Sequence, residues 1–178
     1  MDNLSDTSRS LINAFSALTA ALDEAIRRYN TEGLTVNFTR VSPSQSPDIT
    51  MVAFYEVSNT LGSAGSPNSI GDPYNEVKMN TYWYSGGTDA TNVNYIGTIM
   101  AHEIGHCIGF RHTDYMNRAY SCGDRKQNEG QANTAVGAVY IPGTPSGGDP
   151  DSLMLACVGS NVNRPFNAND KFALAYVY

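Results

Sequence analysis

HEIGHCIGFRH, residues 102–112, contains all three histidines of this 178-residue chain. On a helix, His102 and His106 stand one above the other, close enough to share one ion. Gly109 follows three residues later, where a residue free to take positive φ ends the helix and turns the chain so that His112 swings back toward the pair. Three imidazoles around one cation leave a tetrahedral position for water, whereas a structural zinc site is closed by a fourth protein ligand. Zinc lowers the pKa of its bound water from about 15.7 to about 7, so the missing part is a proton acceptor. Glu103, next to His102, projects beside the ligand face and is the candidate general base. The stretch reads as a helix carrying a zinc site suited to hydrolysis of an amide or similar acyl bond. Cys107 points about 100° away from His106 and reads as a small buried hydrophobe.

Upstream, Leu11, Phe15, Leu18, Leu22, Ala25 and Tyr29, flanked by Ile12 and Ile26, recur at helical spacing and end at Gly33, which predicts a long amphipathic helix. LTVNFTRV (34–41) and DITMVAFYEV (48–57) read as strands separated by the turn-forming SPSQSP. LGSAGSPNSIGDPYN (61–75) is too rich in Gly, Pro and Ser for a central strand and suits an edge or loop. EVKMNTYWY (76–84) is a further strand, and after the 85–89 turn a second helix is expected from Thr91 or Asn92 to about Gly109. Residues 113–152 are dominated by loop, with one strand-like piece, AVGAVYIPG (135–143), and NANDKFALAYVY closes the chain as a helix capped by Asn167 or Asn169. This order predicts an α+β fold in a single domain spanning 1–178, with an N-terminal lobe of about 1–112 and an irregular C-terminal lobe of about 113–178.

Hydrophobic residues make up 41% and charged residues 16% of the chain, with 16 Gly and 8 Pro, the profile of a compact secreted protein with many turns. The net charge is −6 and Lys and Arg form no cluster, which disfavours nucleic acid and anionic membrane as partners. The apolar stretches stop short of the roughly 18–20 residues that cross a bilayer, and any signal or inhibitory pro-segment would lie upstream. Of three cysteines, Cys122 and Cys157 flank a long loop and are the candidate disulfide, which implies an extracellular or periplasmic location. The alternative is three free thiols in a cytosolic protein. GGDPD (147–151) carries oxygen ligands for calcium but lacks regular ligand spacing, and an ordinary turn is the favoured reading.

HEIGHCIGFRH resembles the zinc signature of the metzincin metallopeptidases, and HEIGH followed by IGFRHTD is similar to the bacterial HEIGH metallopeptidases and the myroilysin-like branch. AVYIPGTP (138–145), DPDSLMLAC (149–157) and NDKFALAYVY extend the resemblance to roughly residues 8–178. It implies a two-lobed zincin with a twisted mixed sheet and two helices in the N-terminal lobe, zinc on His102, His106 and His112, and Glu103 as general base. It further implies that Met154 lies in a turn beneath the zinc without coordinating it. Leu61, Gly62, Ser63, Ala64 and Gly65 would then form an edge strand along the cleft, to which an extended substrate adds through its backbone. Residues 136–145 would line the pocket for the residue after the scissile bond, with Tyr140 as a wall. Asp114, two residues past the last histidine, is a candidate partner for a ligand imidazole or the N-terminus, with a turn aspartate as the alternative. Arg111 reads as a surface or pairing residue.

Two departures accompany the resemblance. Ala156 stands where some metzincins carry a switchable tyrosine ligand, and no strand is evident before Leu11. The function expected is a monomeric zinc endopeptidase acting on protein or peptide through zinc-activated water and Glu103. A zinc amidase on a non-protein substrate and a catalytically idle zinc-containing binding module are the alternatives.

Overall fold

Helix α1 spans Asp6–Asn30 and ends before Gly33, whose φ of 69° is the left-handed conformation expected of a stop. The computed structural model describes residues 6–84, 87–123, 128–130 and 137–178, residues 6–15 and 43 by backbone alone. Along α1 the residues most deeply buried are Ala17, Ala21 and Ala25 together with Arg28 and Tyr29, while Leu18 and Leu22 flank them half-buried. Small side chains at the centre of the stripe bring α1 close to helix α2, Ala90–Cys107. A Cβ on Gly97 of α2 would stand 3.0 Å from Cγ of Glu24, so this crossing leaves no room for a larger residue.

Arg28 locks the crossing. It is buried, and its guanidinium reaches Glu24 at 2.8 Å, Thr98 Oγ1 at 3.0 Å, the Asn94 carbonyl at 3.1 Å and Asn163 Oδ1 at 2.9 Å. Tyr29 donates its hydroxyl to the Ala101 carbonyl at 2.8 Å, one residue before the first histidine. A buried cation satisfied this fully holds α2 in place along its axis.

Among the described residues the sheet has three strands, β1 (Thr50–Phe54), β2 (Gly62–Ala64) and β3 (Glu76–Asn80), in the order β1-β3-β2. β1 runs parallel to β3 from Thr50 opposite Glu76, and β2 runs antiparallel with Gly62 opposite Met79. Val77 and Met79 of the central strand are buried and Lys78 is exposed, so one face of the sheet covers the helices. The fold is α+β, as the order of elements predicts.

LTVNFTRV forms no strand. Its backbone is bonded elsewhere: the Phe38 N–H and carbonyl pair with the side-chain amide of Asn30 at 2.9 and 2.8 Å, and the Thr35 N–H donates to the Tyr178 carbonyl. Beyond α2 regular structure is sparse among the described residues, with a single turn α3 (Ala119–Cys122) and a last helix α4 (Ala168–Val177). Asn167 caps α4, accepting from the Asp170 N–H at 2.9 Å. Of the strand-like AVGAVYIPG, residues 135–136 lie outside the described residues, and the rest forms no strand, with bridge positions at Ala138 and at Pro142, the latter paired with Thr144. Cys122 and Cys157 are disulfide-bonded and Cys107 is a buried free thiol. Among the described residues no helix is long and apolar enough to cross a membrane.

Candidate metal centre

α2 begins at Ala90, one turn position earlier than expected, because the Asp89 carboxylate accepts the Asn92 N–H at 3.1 Å and serves as its cap. The helix stays regular to Cys107, so His102 and His106 share a face. Gly109 then takes φ 110° and donates to the His106 carbonyl, while Phe110 N–H returns to the Gly105 carbonyl at 2.9 Å. This reversal brings His112 back: the ligand atoms offered by His102, His106 and His112 all lie within 4.8 Å of one another.

The outer nitrogen of each ring is held by an oxygen. His102 Nδ1 bonds the Leu153 carbonyl at 2.9 Å, His106 Nδ1 the Phe110 carbonyl at 2.8 Å, and His112 Nδ1 the Glu129 carboxylate at 2.7 and 3.0 Å. Carbonyl and carboxylate oxygens only accept, so each Nδ1 carries the proton and each Nε2 presents a lone pair. Burial keeps His102 well below the usual histidine range and brings His106 down to about 4, so both rings are neutral. Nε2 of His106 and Nε2 of His112 are 3.2 Å apart. At that distance the two nitrogens must share either a proton or a cation, because two bare lone pairs would repel. A tetrahedral zinc with Zn–N of about 2.0–2.1 Å spaces its ligands by roughly 3.3 Å. The donor set fits zinc.

Glu103 is buried, and desolvation raises its carboxyl to about 8. It lies against the edge strand: a Cβ on Gly62 would be 3.1 Å from Glu103 Cγ and 3.3 Å from its Oε1. β2 itself is pinned at Leu61, whose carbonyl accepts from Asn80 N–H at 2.9 Å and from the buried Tyr84 hydroxyl at 2.5 Å. A cleft of about 680 Å³ joins these parts, lined by Leu61, Gly62, Ser63 and Ala64 on one side, His102, Glu103, His106 and His112 on its floor, and residues 155–158 opposite.

The chain matches, over residues 3–178, the family model described as dual-action HEIGH metallo-peptidase. It belongs to the HEIGH metallopeptidases. Hydrolysis of peptide bonds by a zinc enzyme is thus the activity of its family, and the histidine cluster is where such an ion fits. No curated protein matches the chain.

The remaining candidates of this HEIGH metallopeptidase fall into place unevenly. Met154 is buried under α2, where a Cβ on Gly105 would stand 2.7 Å from its Sδ. That contact explains the glycine before the second histidine of HEIGH. The turn carrying Met154 is tied to α4, since Asp170 accepts the Leu153 N–H at 2.8 Å and the Ser152 hydroxyl at 2.7 Å. Asp114 is fully buried but touches none of the ligand imidazoles. Its oxygens accept the Ala156 N–H at 3.0 Å and the Ser121 hydroxyl at 2.7 Å, so it braces the segment after the turn. Gly65 is not in the cleft: the ring of Tyr74 lies across it, 2.6 Å from where a Cβ would be.

Tyr140 is not among the residues lining that cleft. It donates to the Thr144 carbonyl at 2.6 Å and, with residues 137–139, 141, 144 and 145, lines a second cavity of about 500 Å³ that also includes Met154 and shares His112 with the cleft. Calcium finds no support at GGDPD, because Asp149 Oδ2 accepts from the amides of Asn167 and Asn169 and its Oδ1 from the Asp151 N–H. Arg111 donates to Ser66 Oγ at 3.2 Å, a pairing role as expected.

Sequence reasoning missed Glu129. It is one of five acidic residues between His112 and Met154, in a loop without periodicity, and no spacing rule marks it.

Proposed function

We propose that the chain is a secreted zinc endopeptidase of metzincin type, with Glu103 as its general base. The observation that carries the reading is the convergence of three Nε2 lone pairs beside Glu103, in a cleft one wall of which is an edge strand. A zinc ion held by His102, His106 and His112 supplies a Lewis acid that polarises a carbonyl and acidifies water. The chain's own residues supply the rest. β2, the edge of the sheet among the described residues, offers backbone N–H and C=O groups to an extended peptide running antiparallel to it. This favours a polypeptide over a small amide. Gly62, lacking a side chain, lets that peptide lie over Glu103.

Glu103 takes a proton from the attacking water as its oxygen bonds the carbonyl carbon, and returns the proton to the amine nitrogen as the C–N bond breaks. Burial, which raises the affinity of this carboxyl for a proton, suits a group that must hold one between the two steps. A purely binding module has no use for a buried carboxylate beside its ligands.

The cleft draws on residues from both sides of His112, which supports one catalytic domain made of lobes of about 1–112 and 113–178. The Cys122–Cys157 bond supports an extracellular or periplasmic setting.

A casein or gelatin zymogram tests the reading. Clearing by the wild type, abolished by chelator, restored by zinc and reduced at least about 10³-fold in Glu103→Ala, is expected. One equivalent of tightly bound zinc with no turnover of any polypeptide would overturn it in favour of a binding module.

A further inference from the structure

Each ligand imidazole is held from behind, but not by the same kind of group. His102 and His106 give their Nδ1–H to neutral backbone carbonyls, those of Leu153 and Phe110. His112 alone gives its Nδ1–H to a charged side chain, Glu129, whose two carboxylate oxygens lie 2.7 and 3.0 Å away. The difference follows from where the three rings sit. The first two belong to α2, and backbone carbonyls of the turns that pack beside it, those of Phe110 and Leu153, reach their Nδ1–H. The third follows the Gly109 reversal, outside any regular element, so its ring direction must be set by something else.

Glu129 is itself anchored. Its N–H donates to the Tyr115 carbonyl at 2.7 Å, three residues past His112, and Arg118 Nε stands 3.4 Å from its Oε1. Both ends of the short connection His112–Tyr115 are therefore fastened to one residue, the ring by the carboxylate and the backbone by the amide. Arg118 lines the same cleft as the histidines, so its pairing with Glu129 also places a cation at the cleft wall.

We propose that Glu129 is the positioning residue of the third ligand: its carboxylate clamps the His112 ring so that Nε2 meets the other two lone pairs, and it thereby sets how tightly the centre holds zinc. This rests on the metal-centre reading above. Outer partners of a ligand imidazole typically control metal affinity by 10–100-fold, because they fix both tautomer and ring direction and add negative charge behind the ligand. Glu129→Gln keeps the shape and one acceptor but removes the charge, and Glu129→Ala removes the clamp.

The test measures zinc affinity by competition with a chromophoric chelator, alongside the visible spectrum of the cobalt-substituted protein and the melting of the metal-free form. The expected result is an affinity about 10-fold weaker for Glu129→Gln and on the order of 100-fold weaker for Glu129→Ala, with altered cobalt bands and metal-free melting unchanged for the glutamine variant. Affinity within twofold of wild type in Glu129→Gln, with an unaltered cobalt spectrum, overturns the proposal even if Glu129→Ala fails to fold. A wild type that takes up neither metal overturns the metal centre itself and this proposal with it. A wild type that binds zinc alongside indifferent variants overturns this proposal alone.

Discussion

At the scale of single residues, two glycines bear separately on the histidine cluster and on the proposed base Glu103. Gly62 faces Glu103 and the Lys78 carbonyl, each 3.1 Å from an added Cβ, while Gly105 faces the Met154 sulfur at 2.7 Å. An alanine at 62 meets fixed backbone on one side, so the carboxylate must yield. At 105 the added methyl gains about 1 kcal/mol of helix propensity, against roughly 1–3 kcal/mol of overpacking on the methionine turn. Gly62→Ala is therefore expected to lower kcat about 10-fold with zinc affinity unchanged, since a displacement below 1 Å suffices. Gly105→Ala is expected to weaken zinc binding, because Met154 sits in the turn whose Leu153 carbonyl holds His102. Parallel steady-state kinetics and zinc competition on the two variants check this. Equal loss of zinc in both would remove the support for placing Glu103 against β2.

At the scale of elements, the centre is assembled by ends and turns rather than by strands. Helix α4 reaches the zinc ligands through one side chain: Asp170 holds Leu153 N–H and Ser152 Oγ, and the Leu153 carbonyl holds His102. Asp170→Ala leaves two buried donors unpaired, each worth about 1–3 kcal/mol, besides freeing the Asn167 N–H, and should cost roughly 2–6 kcal/mol in urea unfolding while loosening zinc. Asn167→Ala removes the cap of the same helix and one donor to Asp149 but leaves the Leu153 and Ser152 donors paired, and should cost about 1–2 kcal/mol with zinc affinity intact. If both variants behave alike, Asp170 serves the helix and not the turn. Elements with a period were legible in the sequence. The histidine helix, the edge piece at 62–64, the strands at 50–54 and 76–80 and the Asn167-capped helix stand where pattern and turn residues put them. LTVNFTRV has the composition of a strand, yet Asn30 and Tyr178 take its backbone bonds, a long-range competition that no local window contains. The α1 stripe was legible in its period and not in its centre, because alanines mark closeness of packing rather than hydrophobicity. Glu129 was illegible for a related reason, since its role exists only after Gly109 turns the chain.

At the scale of the whole molecule, order is distributed unequally. The part before His112 has α1, α2 and the sheet around one core, with the buried Arg28 network across the helix crossing. The part after it, up to α4, has among its described residues one helical turn and a run of side-chain tethers: Glu129 on His112, Asp114 on Ala156 and Ser121, and the Cys122–Cys157 bond. Apolar burial cannot stabilise such a stretch alone, so cross-links must. A disulfide closing a loop of sequence separation 35 contributes roughly 3–4 kcal/mol by constraining the unfolded chain. A metal present at 1,000 times its Kd adds about 4 kcal/mol, and for a chain of this length each kcal/mol shifts melting by roughly 2–4 °C. Removing zinc with a chelator is thus expected to lower melting by about 10 °C, and the paired Cys122→Ser, Cys157→Ser variant by a similar amount. Because both cross-links order the same stretch, their removal together should fall short of the sum. Amide exchange locates the effect: protection should be lost across residues 113–123 and 137–160 while α1 and β3 keep theirs. Uniform loss of protection over the chain would mean that the metal stabilises the N-terminal core directly, and the division of labour argued here would be wrong.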